Sequence, residues 1–325
     1  MAAGTRFTWL VTGGAGYIGQ HVVRELLAAD YQVRVLDDLS SGSADLLPEG
    51  VSLVAGSIND SADLDEAFRG EPVDGVVHLA ALKAADESVS RPLDYYRVNV
   101  EGTRLLLEAM SRHLVQRIIY SSSAAVYGEV DATAVTEDHA TIPLNPYGET
   151  KLVSEWLVRN FANASGMSWL TLRYFNVAGA ASPELADKAG RNLIPIVLKA
   201  LAAGRSPTVF GDNYPTPDGT CIRDYVHVSD IAGAHLAAAA YMYHPHVSGT
   251  YNVGCGRGYS VREVIAAATR ISGQHFDADV RGPRPGDAAW VVADAARLRL
   301  DLGWTARHSL DDMIASNWQG VRHGS

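Results

Sequence analysis

The stretch Thr12-Gly13-Gly14-Ala15-Gly16-Tyr17-Ile18-Gly19 constrains this chain more than any other. It follows an apolar run, Phe7 to Val11, and opens an amphipathic one, His21 to Ala28. Glycines between a buried strand and a helix mark a turn that side chains would block. Gly13 permits the sharp reversal, Gly16 leaves the backbone bare beside whatever binds, and Gly19 lets helix and strand pack closely, so the helix N-terminus presents its free N–H groups to an anion. In this strand–turn–helix setting the anion is the pyrophosphate of a dinucleotide. Asp37 follows the second apolar run, Gln32 to Leu36. A carboxylate there accepts both hydroxyls of an adenosine ribose and repels a 2′-phosphate, while Arg34 sits within the strand and points elsewhere. The expected cofactor is NAD rather than NADP.

The first half of the chain repeats one rhythm: a short run rich in Val, Ile and Leu, a polar or glycine turn, then a stretch with helical spacing. Phe7 to Val11, Gln32 to Leu36, Ser52 to Ala55, Gly75 to Leu79, Arg117 to Tyr120 and Trp169 to Arg173 read as strands. Their continuous apolar character predicts a parallel sheet buried on both faces by helices, an α/β fold of the Rossmann type, doubly wound. Beyond Asn176 the rhythm weakens: Pro183, Pro195, Pro207, Pro215 and Pro217 break the chain, and Leu193 to Ala203 and Val261 to Ile271 are short helices. We therefore expect a dinucleotide-binding domain over 1–175 and a smaller mixed α/β lobe over 176–325, with some later segments returning to the first domain. The length, 325 residues, exceeds what one core usually holds, and 47% apolar with 20% charged residues excludes fibrous and disordered classes.

A net charge of −10 without a basic patch argues against nucleic acid or an anionic membrane as partner. Cys221 and Cys255 lack metal-ligand spacing, and His244-Pro245-His246 has no carboxylate or thiolate nearby, so no metal is expected. With no leader-like N-terminus and no run of eighteen apolar residues, the expected compartment is the cytoplasm.

Ser121-Ser122-Ser123 ends the strand Arg117 to Tyr120, at the carboxyl edge where open α/β sheets bind ligands. Tyr147 and Lys151 lie four apart, and with Pro146 opening a helix they share one face. A phenol of ordinary pKa about 10 is a poor base at neutral pH, but a neighbouring ammonium and a positive nicotinamide ring favour phenolate, and a serine hydroxyl shares the moving proton. Ser123, Tyr147 and Lys151 are thus the candidate catalytic residues, for oxidation of an alcohol.

At this point the sequence resembles the extended short-chain dehydrogenase/reductase superfamily, and within it the UDP-glucose 4-epimerase family, over essentially the whole chain. The resemblance rests on Thr12 to Gly19, Leu79 to Lys83, Glu87-Ser88-Val89, Asn99 with Gly102-Thr103, Ser121 to Gly128, Pro146 to Lys151, Arg173 to Asn176, and Tyr214 to Thr220 followed by Arg223-Asp224-Tyr225. It implies an NAD site drawn from Gly13, Gly16, Tyr17, Ile18, Gly19, Asp37, Ser57, Ile58, Ala80, Ala81, Lys83, Asn99, Ser121, Tyr147, Lys151 and Tyr174. It also implies a UDP-hexose site drawn from Lys83, Ser123, Tyr147, Phe175, Asn176, Asn192, Leu193, Phe210, Arg223, Arg284, Asp287 and Val291. Arg223 and Arg284 would neutralise a diphosphate, Asn176 and Asn192 donate to its oxygens, and Asp287 accept ribose hydroxyls.

The implied reaction is inversion at C4 of a UDP-hexose through a 4-keto sugar. Relatives commonly pair through two helices per subunit, here Asp94 to Met110 and Thr150 to Ala162, which implies a homodimer. Three positions depart from the family pattern: Ser57 stands where an aspartate usually meets adenine, and Ala81 and Val177 replace a glycine and a proline. Val291 stands where relatives vary between tyrosine and smaller residues, and a small side chain there would admit an N-acetyl group. The alternatives left open are a 4-epimerase of UDP-glucuronate or a UDP-pentose, and a non-catalytic NAD-sensing scaffold. A dehydratase is disfavoured, because Ala124-Ala125 follow Ser123 where elimination needs acid and base groups.

Overall fold

The computed structural model describes residues 7–130, 132–187, 190, 192–284 and 287–323. Two compact units emerge: one takes in the chain to Val126, Thr141–Arg173 and Ala232–Tyr251, the other Tyr127–Ala140, Tyr174–Ile231 and the chain from Asn252 on.

In chain order the strands are β1 (Thr8–Thr12), β2 (Gln32–Asp37), β3 (Ser52–Ala55), β4 (Gly75–His78), β5 (Arg117–Ser123), β6 (Ser168–Tyr174) and β7 (Asn176–Ala178). There follow β8 (Thr208–Phe210), β9 (Ile222–His227), β10 (Ser248–Val253), β11 (Gly258–Ser260), β12 (Asp279–Arg281) and β13 (Trp290–Val291). The helices of the first unit are α1 (Tyr17–Ala28), α2 (Ser61–Phe68), α3 (Ala85–Ser90), α4 (Pro92–Tyr95), α5 (Gly102–Arg112) and α6 (Pro146–Ser165). Beyond them come α7 (Leu193–Ala202), α8 (Val228–Tyr241), α9 (Val261–Ser272), α10 (Ala296–Leu302) and α11 (Leu310–His323).

The first unit is built on a sheet ordered β10-β6-β5-β4-β1-β2-β3. Parallel register sets Val11 of β1 opposite Val35 of β2 and Val77 of β4, three branched side chains in one row. Leu10, Leu36, Val76 and Ile118 are buried beneath helix residues Leu106 and Met110, so the apolar runs end up covered on both faces. After β1 the chain winds outward through β2 and β3, then returns to place β4 on the other side of β1. The carboxyl ends of β1 and β4 therefore diverge, which opens a crevice at that reversal.

Three differences from the sequence reading stand out. Strand β5 runs to Ser123 rather than ending at Tyr120, because Ser121 O and Ser122 Oγ find partners on α6 and Ser123 Oγ accepts from Ala125 N–H (3.2 Å), so these polar groups remain satisfied inside the unit. The helix expected over Asp94 to Met110 is interrupted by a π-helical turn, Tyr96–Glu101, that carries the buried Asn99. The boundary expected at 175/176 also shifts. Residues 127–140 cluster with the second unit because Val135 and Tyr127 hydrogen-bond to Asn252 (2.8 and 2.7 Å) and Val135 N–H donates to Val292. Residues 232–251 cluster with the first unit.

The second unit has β9 at its centre, paired antiparallel with β11 and parallel with β7 and β13. Its core is Ile194 and Leu198 of α7, Val264 and Ala268 of α9, and Met313 and Ile314 of α11. A reciprocal Ser260–Glu263 capping box begins α9 at the end of β11.

Candidate active site

The glycine turn leaves no room for a side chain at Gly13 or Gly19. Gly13 has φ +73°, and a Cβ there would lie 2.7 Å from the Ala80 amide nitrogen; at Gly19 it would lie 2.1 Å from the Gly13 carbonyl oxygen. The first turn of α1 carries no acidic side chain, so its N-terminus stays electropositive. Asp37, at the end of β2, accepts from Ala15 N–H (2.9 Å) and Leu39 N–H (2.8 Å). Burial raises its carboxyl above the usual range, and these N–H bonds oppose the rise. Arg34 donates to the carbonyls of Ala67, Arg69 and Glu71 and so is committed away from Asp37. Bare backbone, a free helix N-terminus and a ribose-height carboxylate together fit a dinucleotide without a 2′-phosphate.

The neighbouring implied contacts are more varied. Tyr17 and Ile18, at the start of α1, are half-buried, and the Lys83 ammonium lies 5.8 Å over the Tyr17 ring. Ala80 N–H points at Thr12 Oγ1 (3.4 Å) and Ala81 is half-buried beside it. Ser57 Oγ accepts from Asn59 N–H and Ser57 N–H donates to Asp63, while Ile58 is buried and packs against Gly102. Asn99 is spent within the protein: its amide oxygen accepts from Leu82 N–H (2.8 Å), and its amide nitrogen donates to Leu82 O and Thr150 Oγ1 (3.0 Å each). It thereby ties the loop after β4 to α6.

His78 was not foreseen. It bridges Thr12 Oγ1 (2.7 Å) and Thr103 Oγ1 (3.0 Å), and Thr103 in turn donates to Asn99 O. Burial, with the nearby Lys151 charge second, pushes its pKa down to about 3, so the imidazole stays neutral.

Helix α6 presents the catalytic candidates. Asn145 caps it by accepting from Gly148 N–H (3.0 Å), Pro146 occupies its first turn, and Gly166 ends it at φ +75°. Tyr147 and Lys151 then fall one turn apart on the same face. Burial raises the Tyr147 phenol's pKa, and the nearby Ser123 hydroxyl opposes that rise. Lys151 Nζ donates to Ser121 O (2.9 Å). Burial pulls the Lys151 ammonium down to about 8, with Glu155 opposing. Thr150, also unforeseen, returns a hydrogen bond to Tyr147 O and so couples Asn99 to the catalytic turn. A spacing of four continued past Lys151 would have found Glu155; nothing local in the sequence marks His78 or Thr150.

In the second unit Asp287 lies between two arginines, 2.9 Å from Arg284 and 3.9 Å from Arg223. Arg284 stacks over Phe210 at 4.8 Å, and Arg223 is held by Ala288 O and Ile222 O. Val291 sits opposite Arg223 in the β13–β9 register, and Asn176 opposite Tyr225 in the β7–β9 register. Asn192, at the start of α7 beside Leu193, donates to Val177 O (3.3 Å). Tyr174 and Phe175 are buried, the latter bonded to Val253 O. The structure thus brings Phe210, Arg223, Arg284, Asp287 and Val291 into one neighbourhood. Among the described residues no three His, Cys, Asp or Glu side chains group as metal ligands, and no helix is long and apolar enough to cross a membrane.

Comparison with known proteins agrees with this chemistry. The profile of the NAD dependent epimerase/dehydratase family matches residues 9–254. The UDP-glucose 4-epimerase of Azospirillum brasilense is 43% identical over 95% of this chain and 91% of its own length. That of Bacillus subtilis is 40% identical, with 95% of each covered. Among solved structures, the UDP-glucose 4-epimerase of Stenotrophomonas maltophila with bound NAD and formylated UDP-arabinopyranose superposes with a TM-score of 0.94 at 38% identity, covering 98% of this chain and 99% of that one. The Bifidobacterium longum enzyme in complex with NAD+ and UDP gives 0.91 at 38%, covering 97% and 98%.

Proposed function

The chain belongs to the NAD dependent epimerase/dehydratase family, and from that membership we propose that it inverts C4 of a UDP-hexose, interconverting UDP-glucose and UDP-galactose. The observation that carries the reading is the hydrogen bond from Lys151 to Ser121 O, which seats Lys151 against the serine end of β5 one helical turn from Tyr147, in the same unit as a turn built for a dinucleotide. Gly13, Gly16 and Gly19 would hold NAD with Asp37 at its ribose, and NAD so bound would supply a reversible hydride acceptor for C4. As the C4 hydride leaves for that acceptor, Tyr147 as phenolate would take the O4 proton beside Ser123, giving a 4-keto sugar; once the sugar has presented its other face, the hydride would return to C4 and Tyr147 would return the proton to O4. Lys151 supplies positive charge that favours phenolate as the proton leaves.

Anchoring belongs to the nucleotide. Arg223 and Arg284 bind the diphosphate, Asn176 and Asn192 donate to it, and Asp287 accepts ribose hydroxyls, so the hexose stays loosely held and free to turn over. The half-buried, small Val291 beside Arg223 supports acceptance of N-acetylated sugars as well. Ala124 and Ala125 after Ser123 offer no groups for dehydration.

A homodimer is supported by exposed apolar side chains on the first unit's helices: Val89, Leu93 and Tyr96, with Trp156 on α6. Two free cysteines suit a reducing cytoplasm. The purified protein, given UDP-galactose and no added NAD, is expected to form UDP-glucose. A panel adding the N-acetyl forms, UDP-glucuronate and UDP-arabinose, resolved by chromatography, decides among substrates. Bound NAD without turnover of any of them would reject the enzyme reading in favour of a scaffold.

A further inference from the structure

Three successive serines at the end of β5 each meet a different residue of α6. The Ser123 hydroxyl works against the burial of the Tyr147 phenol, the Ser121 carbonyl accepts from Lys151, and the Ser122 hydroxyl donates to Glu155. Those three α6 residues lie four apart in sequence and so share one face of the helix. The epimerase reading uses the first two and leaves Glu155 without a task. Glu155 is nonetheless an expensive residue to keep, since a buried carboxylate is stable only when paired and hydrogen-bonded. Its partners are complete: Arg173 of β6 grips it with two bonds of 2.9 and 2.6 Å, both side chains being 8% exposed, and Ser122 supplies the third contact.

Lys151 is differently placed. It is 4% exposed, its ammonium donates to one carbonyl, and it rests 5.3 Å from the Tyr120 ring centroid. A buried ammonium with so few acceptors leans on the nearest negative charge, and that charge is Glu155, one turn along the same helix.

We propose that Glu155 is a positioning residue of the epimerase reaction: clamped by Ser122 and Arg173, it holds the Lys151 ammonium charged and aligned beside the Ser121–Ser123 strand end, so that Lys151 can favour the Tyr147 phenolate. The inference rests on the epimerase reading. Glu155 touches neither sugar nor cofactor in this scheme and acts through Lys151 alone. The groups around Lys151 are few: neutral His78 from β4, the Tyr120 ring from β5, and Glu155 from α6 with Arg173 of β6 behind it, while Tyr147 shares the helix face one turn earlier. Of these, Glu155 is the one that favours the charged lysine, and Arg173 tempers it. Burial depresses the lysine to about 8 even with Glu155 present. Losing the carboxylate therefore discharges Lys151 nearer neutral pH.

The test is the pH dependence of kcat and KM for UDP-galactose, using the protein with its bound NAD. In Glu155→Gln the alkaline limb of kcat should move to lower pH by about one unit, the scale of a neighbouring opposite charge, with KM little changed. In Arg173→Gln, which keeps a donor to Glu155 and removes the competing cation, the limb should move to higher pH. A role confined to packing would lower kcat or stability and leave the limb where it is in wild type, and that result overturns the proposal. If Glu155→Gln fails to fold because Arg173 is left unpaired, Arg173→Gln alone decides by the direction of its shift. Wild type without turnover of UDP-galactose would instead count against the epimerase reading itself.

Discussion

In the proposed reaction Tyr147 carries the proton transfer on one oxygen atom, and that oxygen is buried. Burial raises its pKa while the nearby Ser123 hydroxyl works the other way, so the phenolate that takes a proton depends on the positive charges brought beside it, Lys151 and the nicotinamide ring. Replacing it with phenylalanine removes the oxygen and almost no volume. Tyr147→Phe should keep its fold and its cofactor yet lose about 10²–10⁴-fold or more in kcat for UDP-galactose, as loss of a general acid/base does. Steady-state assays beside a circular-dichroism spectrum check both halves of that expectation. The same scale explains which residues could be read from sequence. Gly13, Gly19 and Asp37 are legible because backbone clearance and ribose recognition admit few residue types. His78 and Asn99 have partners far off in the chain, Thr12, Thr103, Leu82 and Thr150, and no local pattern reports such bonds.

Among elements, α6 decides the site, because a twenty-residue helix fixes Tyr147, Lys151 and Glu155 in one row only if its first turn starts in the right place. Asn145 sets that start through its bond to Gly148 N–H, and Pro146 pre-forms the turn. Asn145→Ala should destabilise the protein by roughly 1 kcal/mol, within the usual range for a lost cap, and should lower kcat more than it raises KM, because Tyr147 sits in the frayed turn. Denaturant unfolding together with steady-state kinetics measures the two effects. The cap and proline are visible in the sequence, as is the spacing of four. The π-helical turn Tyr96–Glu101 is not: its extra residue turns Asn99 toward the loop after β4, and that turn depends on the packing of α6 rather than on local preference.

For the whole molecule, the buried Lys151 makes stability depend on pH in a definite direction. Its folded pKa of about 8 lies below the ordinary 10.5, so between these values the unfolded chain binds more protons than the folded one, and stability rises with pH across that window. At neutral pH the charged, buried lysine therefore costs on the order of 3 kcal/mol, at 1.36 kcal/mol per pKa unit. Lys151→Met, which leaves Glu155 paired to Arg173, should unfold at a higher temperature than wild type near pH 7. The gap should close as pH approaches 10.5, while turnover is lost throughout. Thermal unfolding scans of both proteins over that range would detect it, and a constant gap would show that the lysine is not held below its ordinary pKa.

The sequence by itself determined the parallel α/β architecture and the dinucleotide turn with its preference for NAD, and it singled out the serine, tyrosine and lysine of the proposed proton-moving site. Each of these depends on short-range spacing and on residue types that few others can replace. Only the tertiary structure decided where the chain divides, that β5 carries its serines inside the sheet, and that Ser122 and Arg173 hold Glu155 one helical turn from Lys151. Buried polar groups must find partners wherever the fold brings them, and that pairing is a property of packed elements rather than of neighbouring residues.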